Sequence, residues 1–159
     1  MHRLPRLTLA WLAAAVATLV LASLAATQGA LAALSSLAVA AGEISPSLWL
    51  ETAWRDLLGL IEVGSMPVAI AVALLLGLLI TGLILRFIPV TQRPTWRMIG
   101  YPLAGAVALY AMHTLLSMAF GGIVPLAAVR ESSGMLLQMA AGAVGGAVFE
   151  RLSRVPTAA

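Results

Sequence analysis

A chain of 159 residues with 62% apolar and 9% charged residues cannot cover a water-facing surface, for which about 25% charge is usual. Its nine basic residues are all arginine, sit at helix ends and form no basic patch with interleaved aromatics, so the net charge of +3 reads as topogenic and not as a nucleic-acid footprint. The absence of cysteine excludes disulfides, thiolate metal sites and thiol nucleophiles within this chain.

These limits predict an all-α integral membrane protein, a single domain over residues 1–159. Its expected form is a four-transmembrane-helix bundle with a periplasmic interfacial amphipathic helix. Arginine without lysine, beside abundant alanine and leucine, points to a GC-rich bacterial genome and hence to the bacterial inner membrane.

The first apolar run covers residues 7–27, after Arg3 and Arg6. Ala22, Ser23, Leu24 and Ala25 offer small residues near a signal-peptide cleavage point. The uncharged stretch nevertheless outruns the roughly 7–15 residues of a signal core, which favours an uncleaved span.

Residues 29–65 are too many for a hairpin loop. Ala30 to Ala41 are small and apolar, and either prolong the first helix or fold back along it. An amphipathic helix is expected over 46–62, with Ser45 as its cap and Pro46 in its first position. Trp49, Leu50, Ala53, Trp54, Leu57, Leu58 and Ile61 form its apolar face. Glu51, Arg55 and Glu62 lie opposite, with Asp56 beside them. The plain reading is a helix lying on the periplasmic surface, anchored by Trp49 and Trp54. The sharper one is a docking ledge or a lid over the bundle.

The second span is expected over 68–86, with Pro67 at its start and Arg86 snorkelling to the headgroups. The third covers 98–120, with Trp96 and Tyr101 as interface anchors and Gly121 and Gly122 as its stop. Tyr110, His113, Thr114 and Ser117 share one face of it and should point into the bundle or a wet cavity. Gln138 on the fourth span is their natural partner. These residues read either as interhelical glue or as a proton or ligand site at His113. His2 is the other histidine of the chain and lies at its terminus, so haem ligation has weak support.

The fourth span covers 132–149. At 1.5 Å per residue it reaches roughly 27 Å, enough for a thin bilayer. Gly134, Gln138, Gly142 and Gly146 recur every four residues along it, and Ala141 and Gly145 widen the stripe. Small residues at this spacing let a second helix backbone approach closely. Before this span, Ser132 or Ser133 can cap the helix, while Glu131 complements its dipole. Arg130 pairs with Glu131, Asp56 or Glu62, or else contacts an anion or a lipid phosphate.

Arg3, Arg6, Arg86, Arg93, Arg97, Arg151 and Arg154 fall on one side of these spans, and Arg55 and Arg130 on the other. The bias predicts both termini in the cytoplasm. No catalytic motif is present, neither Gly-x-Ser-x-Gly nor His-Glu-x-x-His nor an acidic metal cluster, and no cofactor is implied. The expected partners are the lipid bilayer and a membrane protein or a second copy, with no nucleic acid. The expected role is a non-enzymatic accessory or scaffold subunit; the alternative is a small oligomeric channel or transporter built around His113.

Overall fold

A computed structural model describes residues 3–36, 45–63, 65–87, 94–122 and 127–154. Arg93 and His2 lie outside the described residues. The elements in chain order are α1 (Arg3–Ser36), α2 (Pro46–Val63), α3 (Ser65–Phe87), α4 (Pro94–Ala119), a 3-10 turn (Ala127–Arg130) and α5 (Ser132–Ser153). Four stretches are long and apolar enough to cross a membrane: Leu4–Leu31, Ser65–Phe87, Thr95–Ala119 and Ser132–Ser153.

Local chemistry fixes the ends of these helices. The Ser45 hydroxyl accepts from the Leu48 N–H at 3.2 Å, so Ser45 caps α2 and Pro46 takes the first position, where its missing N–H is not needed. α4 stops at a glycine pair. Gly122 N–H donates to Ser117 O at 2.8 Å and Gly121 N–H to Met118 O at 3.2 Å, with Gly121 at φ +64°. This is a Schellman closure, which needs a left-handed residue that glycine adopts without strain. α5 begins at Ser132, and Glu131 holds the capping position without a side-chain cap bond. Neither Ser132 nor Ser133 caps it; Ser133 instead lies 3.5 Å from the Glu131 carboxylate.

α1 is longer than its expected span. It runs 34 residues without a break, about 51 Å at 1.5 Å per residue. The small residues from Ala30 onward therefore prolong the helix as far as Ser36, while 37–44 fall outside the described residues. α5 is also longer than expected. It continues through Glu150 to Ser153, which brings it to 22 residues and about 33 Å. The charge does not end the helix because Arg154, one turn on, meets the Glu150 carboxylate at 2.5 Å.

The four long helices close into a ring. α5 packs between α1 and α4, α3 packs on α4, and α1 meets α3. Trp11 Nε1 donates to Ala71 O at 3.1 Å across the α1–α3 seam. α2 rests on α1 and α3. The core consists of Ala10, Ala14 and Ala22 from α1, Ile70, Leu74 and Leu78 from α3, Tyr101, Leu109 and Met112 from α4, and Ala141 and Phe149 from α5. Many other apolar side chains face outward. Val68, Val72, Leu76, Leu79, Leu83 and Ile84 of α3 are all exposed. Such a surface is unfavourable in water and suited to hydrocarbon.

The start of α1 and the end of α5 meet at one end of the ring. The Arg6 guanidinium donates to Leu152 O at 2.9 Å and also to Arg154 O. Arg86 and Arg97 mark the same end, since Gly100 lies beside Leu85 and Arg97 lies beside Ser153. α2, the Gly121–Gly122 stop and the 3-10 turn occupy the other end.

α2 meets the bundle along a narrow face. Ala53 is buried and Asp56 turns inward to α1, while Leu50, Trp54, Leu58 and Ile61 are exposed. Sequence spacing had placed Asp56 beside the polar face. Thr27 gives its carboxylate a partner, so the helix can turn that residue inward and leave much of its apolar stripe outside.

Candidate functional site

The interior of the ring contains more polar side chains than the sequence had suggested. Thr18, Ser23 and Thr27 of α1 are buried, as are His113 of α4 and Gln138 of α5. They follow one seam. Gly145 of α5 lies against Ala14 and Thr18. Farther along, the Gln138 side-chain amide donates to Ala22 O at 2.9 Å. Thr27 lies within 3.2 Å of Ser23 O and 2.5 Å of Asp56 Oδ2. A hydroxyl has one proton, and the shorter contact with the charged acceptor claims it. Trp49 Nε1 donates to Gln28 Oε1 at 3.0 Å, so two adjacent residues of α1 hold α2.

His113 is 4% exposed and lies beside Gln138, and its Nε2 has no hydrogen-bond partner. Thr18 Oγ1 and Ser23 Oγ are buried without partners in the same seam. A hydroxyl on a helix can be satisfied by turning to the carbonyl one turn back. An imidazole nitrogen has no such local option, so a partner for His113 Nε2 must come from outside its own helix.

The rest of the expected polar face does not point inward. Tyr110 is 49% exposed on the outer surface of α4. Thr114 donates to Tyr110 O at 2.9 Å within its own helix, and Ser117 is half-buried. Offsets of three and four residues spread a face over about 100° of arc, and the bundle interior meets it at the edge that carries His113. Of the expected rim anchors, Trp54 and Trp96 are exposed and Trp49 is half-buried. Tyr101 is instead inside, edge-on to Phe149 with ring centroids 5.1 Å apart. Arg130 is exposed. The ion pairs among the described residues are Arg55–Glu51 and Arg154–Glu150, so Arg130 takes part in neither.

Gly134, Gln138, Ala141, Gly142, Gly145 and Gly146 of α5 are all buried. Their neighbours come from both sides. A methyl group on Gly142 would run into Gly105 O, and one on Gly146 into Tyr101 O and Pro102 Cα at 2.9 Å. A methyl on Gly145 would meet Ala14 O at 3.0 Å and the Thr18 side chain. α5 is thus pressed between the backbones of α4 and α1. On α3, Gly77 faces Ala104 O and Ala108 Cβ, each at 3.1 Å from where its own methyl would sit.

A second polar group closes the end where the termini meet. Glu150 is 4% exposed. Arg154 binds it, Arg6 binds the α5 carbonyls, and an Arg97 Nη nitrogen lies 3.4 Å from Ser153 Oγ. The Arg97 guanidinium also lies 5.5 Å from the centre of the Tyr101 ring, within cation–π range. Sequence spacing did not single out Glu150, because a charge after an apolar run reads as the end of the run.

Apolar grooves open on the outside among the described residues. One, of about 560 Å³, runs between α3 and α4 past Gly77 and Ala108. Another, of about 330 Å³, lies between α1 and α3 and reaches Phe149. His113 lines neither. Among the described residues, no three His, Asp or Glu side chains gather where they could hold a metal ion. Comparison with protein-family models, with curated proteins and with solved structures gave no match.

Proposed function

We propose that the chain is a multi-pass inner-membrane protein that acts as a non-enzymatic accessory or scaffold subunit. Its termini face the cytoplasm, and α2 lies on the periplasmic face. The observation that carries this reading is how the interior polar groups are used. Gln138 bonds Ala22 O, Thr27 bonds Asp56, and Glu150 bonds Arg154, so their hydrogen bonds join helices or hold helix ends. The outward surface is apolar and grooved, and a bilayer or a second transmembrane helix can cover it. The small residues of α5 set the spacing of the bundle and define its shape as a packing unit.

Arginine placement supports the orientation. Arg6, Arg86, Arg97, Arg151 and Arg154 lie at the end that holds the termini, and Arg55 and Arg130 at the other. Positive charge is retained on the cytoplasmic side. The test is chemical crosslinking in native membranes followed by purification of the chain. The scaffold reading expects one membrane protein, or a second copy, in constant ratio to the chain. Recovery of the chain alone and monomeric contradicts it.

One observation favours a second reading, a small channel or transporter. His113 is buried with an unpartnered nitrogen, and the Asp56 carboxylate meets the same seam through Thr27. Membrane-embedded ionisable groups commonly mark proton or ion paths. That reading expects pH-driven flux in proteoliposomes, abolished by His113→Ala with the fold intact. The scaffold reading expects no flux and tolerance of His113→Gln.

A further inference from the structure

We propose that Arg6, Arg97 and Arg154 form a site for the phosphate of an anionic phospholipid, with one acyl chain in the groove between α1 and α3. The three guanidinium groups come from α1, α4 and α5 and converge on the end of α5. One buried carboxylate, Glu150, and the half-charge of a helix C-terminus oppose them. About +1.5 of charge therefore remains on the cluster itself.

Donors remain as well as charge. A guanidinium carries five N–H groups in a planar fork. The bonds described here engage Nε and one Nη of Arg6, one Nη of Arg97 and Nε of Arg154. Arg97 Nε is buried with no partner. The Glu150 contact positions Arg154, and the Tyr101 ring positions Arg97, so both forks are set before a ligand arrives. A phosphate oxygen accepts from such forks in bidentate fashion, with charge assistance.

The groove supplies the second half of the site. Leu4, Leu7, Thr8, Trp11, Leu78 and Phe149 line it. Leu7 is adjacent in sequence to Arg6, and Phe149 to Glu150, so the groove reaches the end of the bundle that carries the cluster. A cationic end beside an apolar furrow matches an amphiphile with a phosphate at its head. The cytoplasmic leaflet is the leaflet richer in anionic lipid, in agreement with the orientation proposed above, on which this inference rests.

The test uses the full chain purified in a neutral detergent, with native mass spectrometry as the readout. The probes are phosphatidylglycerol, phosphatidylcholine and inorganic phosphate. Phosphatidylglycerol should be retained in preference to phosphatidylcholine. Arg97→Gln should weaken that retention about tenfold, since a charge-assisted bond is lost. Arg97→Lys should restore part of it, and Arg55→Gln, at the opposite end, should leave it unchanged. Should Arg97→Gln fail to fold, Arg6→Gln takes its place with the same expectation. Competition by millimolar inorganic phosphate identifies the phosphate as sufficient; no competition identifies the whole lipid as the ligand. Equal retention of the two lipids, or equal loss in Arg55→Gln, overturns the proposal and leaves the membrane reading standing. A chain that stays folded and dispersed without detergent overturns both.

Discussion

Gly105 and Gly142 meet backbone to backbone: a methyl group on either would run into the carbonyl oxygen of the other. The crossing of α4 and α5 is therefore set by the absence of two side chains. Gly142→Ala must push the helices apart or bend them, and overpacking of this kind costs about 1–3 kcal/mol. Thermal unfolding in detergent should show the loss. Gly59→Ala is the matched control, because nothing lies within 4 Å of its would-be methyl. There the better helix propensity of alanine should stabilise α2 by a few tenths to about 1 kcal/mol. Equal effects at the two positions would mean that α4 and α5 are not in contact here.

The link between α1 and α2 gives a separable prediction. Thr27 and Asp56 are 2.5 Å apart, and they are the polar pair joining the buried seam to α2. Asp56→Ala should release α2 while leaving the four long helices packed. Hydrogen exchange should rise in α2 and stay low in α5. Thr27→Val should do the same, and the double variant should add little more, because both changes remove one interaction. Exchange that rises across the whole bundle would place Asp56 in the global core instead.

Gln138 holds α5 to α1 through Ala22 O. Hydrogen bonds between membrane helices average about 0.6 kcal/mol and rarely exceed about 1.7. Gln138→Leu should thus lower stability only slightly. Its larger effect should be on His113, which loses its polar neighbour. Nitrogen NMR of labelled His113 should report a changed tautomer balance in this variant. An unchanged imidazole spectrum would show that the two side chains do not interact.

Glu150 is the buried carboxylate at the opposite end. Its side chain is 5% exposed, whereas that of its partner Arg154 is 48% exposed. Glu150→Ala leaves a guanidinium that can return to solvent, so the cost should stay near 1 kcal/mol, below that of a fully buried broken pair. Arg154→Ala strands the carboxylate inside and should cost more. Chemical denaturation of the two variants in detergent checks the order, and the reverse order would contradict the burial of Glu150.

Much of this architecture was legible in the sequence for reasons of local physics. Ser45 and Pro46 announce the start of α2, and the glycine pair at 121–122 announces the end of α4. Four apolar stretches announce the long helices. What was hidden is relational. The glycine stripe of α5 shows that something packs closely, but not that Gly105 lies on one side and Thr18 on the other. Thr18, Ser23 and Thr27 disappear into an apolar run because hydroxyls are common in apolar helices, where a carbonyl one turn back is within reach of them. The direction of Tyr110 depends on a rotation of α4 that only its neighbours fix. Asp56 and Glu150 looked like surface charges, because burial of a charge is decided by partners far away in sequence: Thr27 for the first, which is half-buried, and Tyr101 of α4 for the second.

The proposed topology requires α2 and the end of α5 to occupy opposite faces of a membrane. The chain contains no cysteine, so single reporters can be placed without background. Gly59→Cys on α2 and Arg151→Cys near the end of α5 are both at exposed positions. In intact cells, a membrane-impermeant maleimide should label Gly59→Cys and should reach Arg151→Cys only after permeabilisation. Labelling of both from the same side would contradict the arrangement.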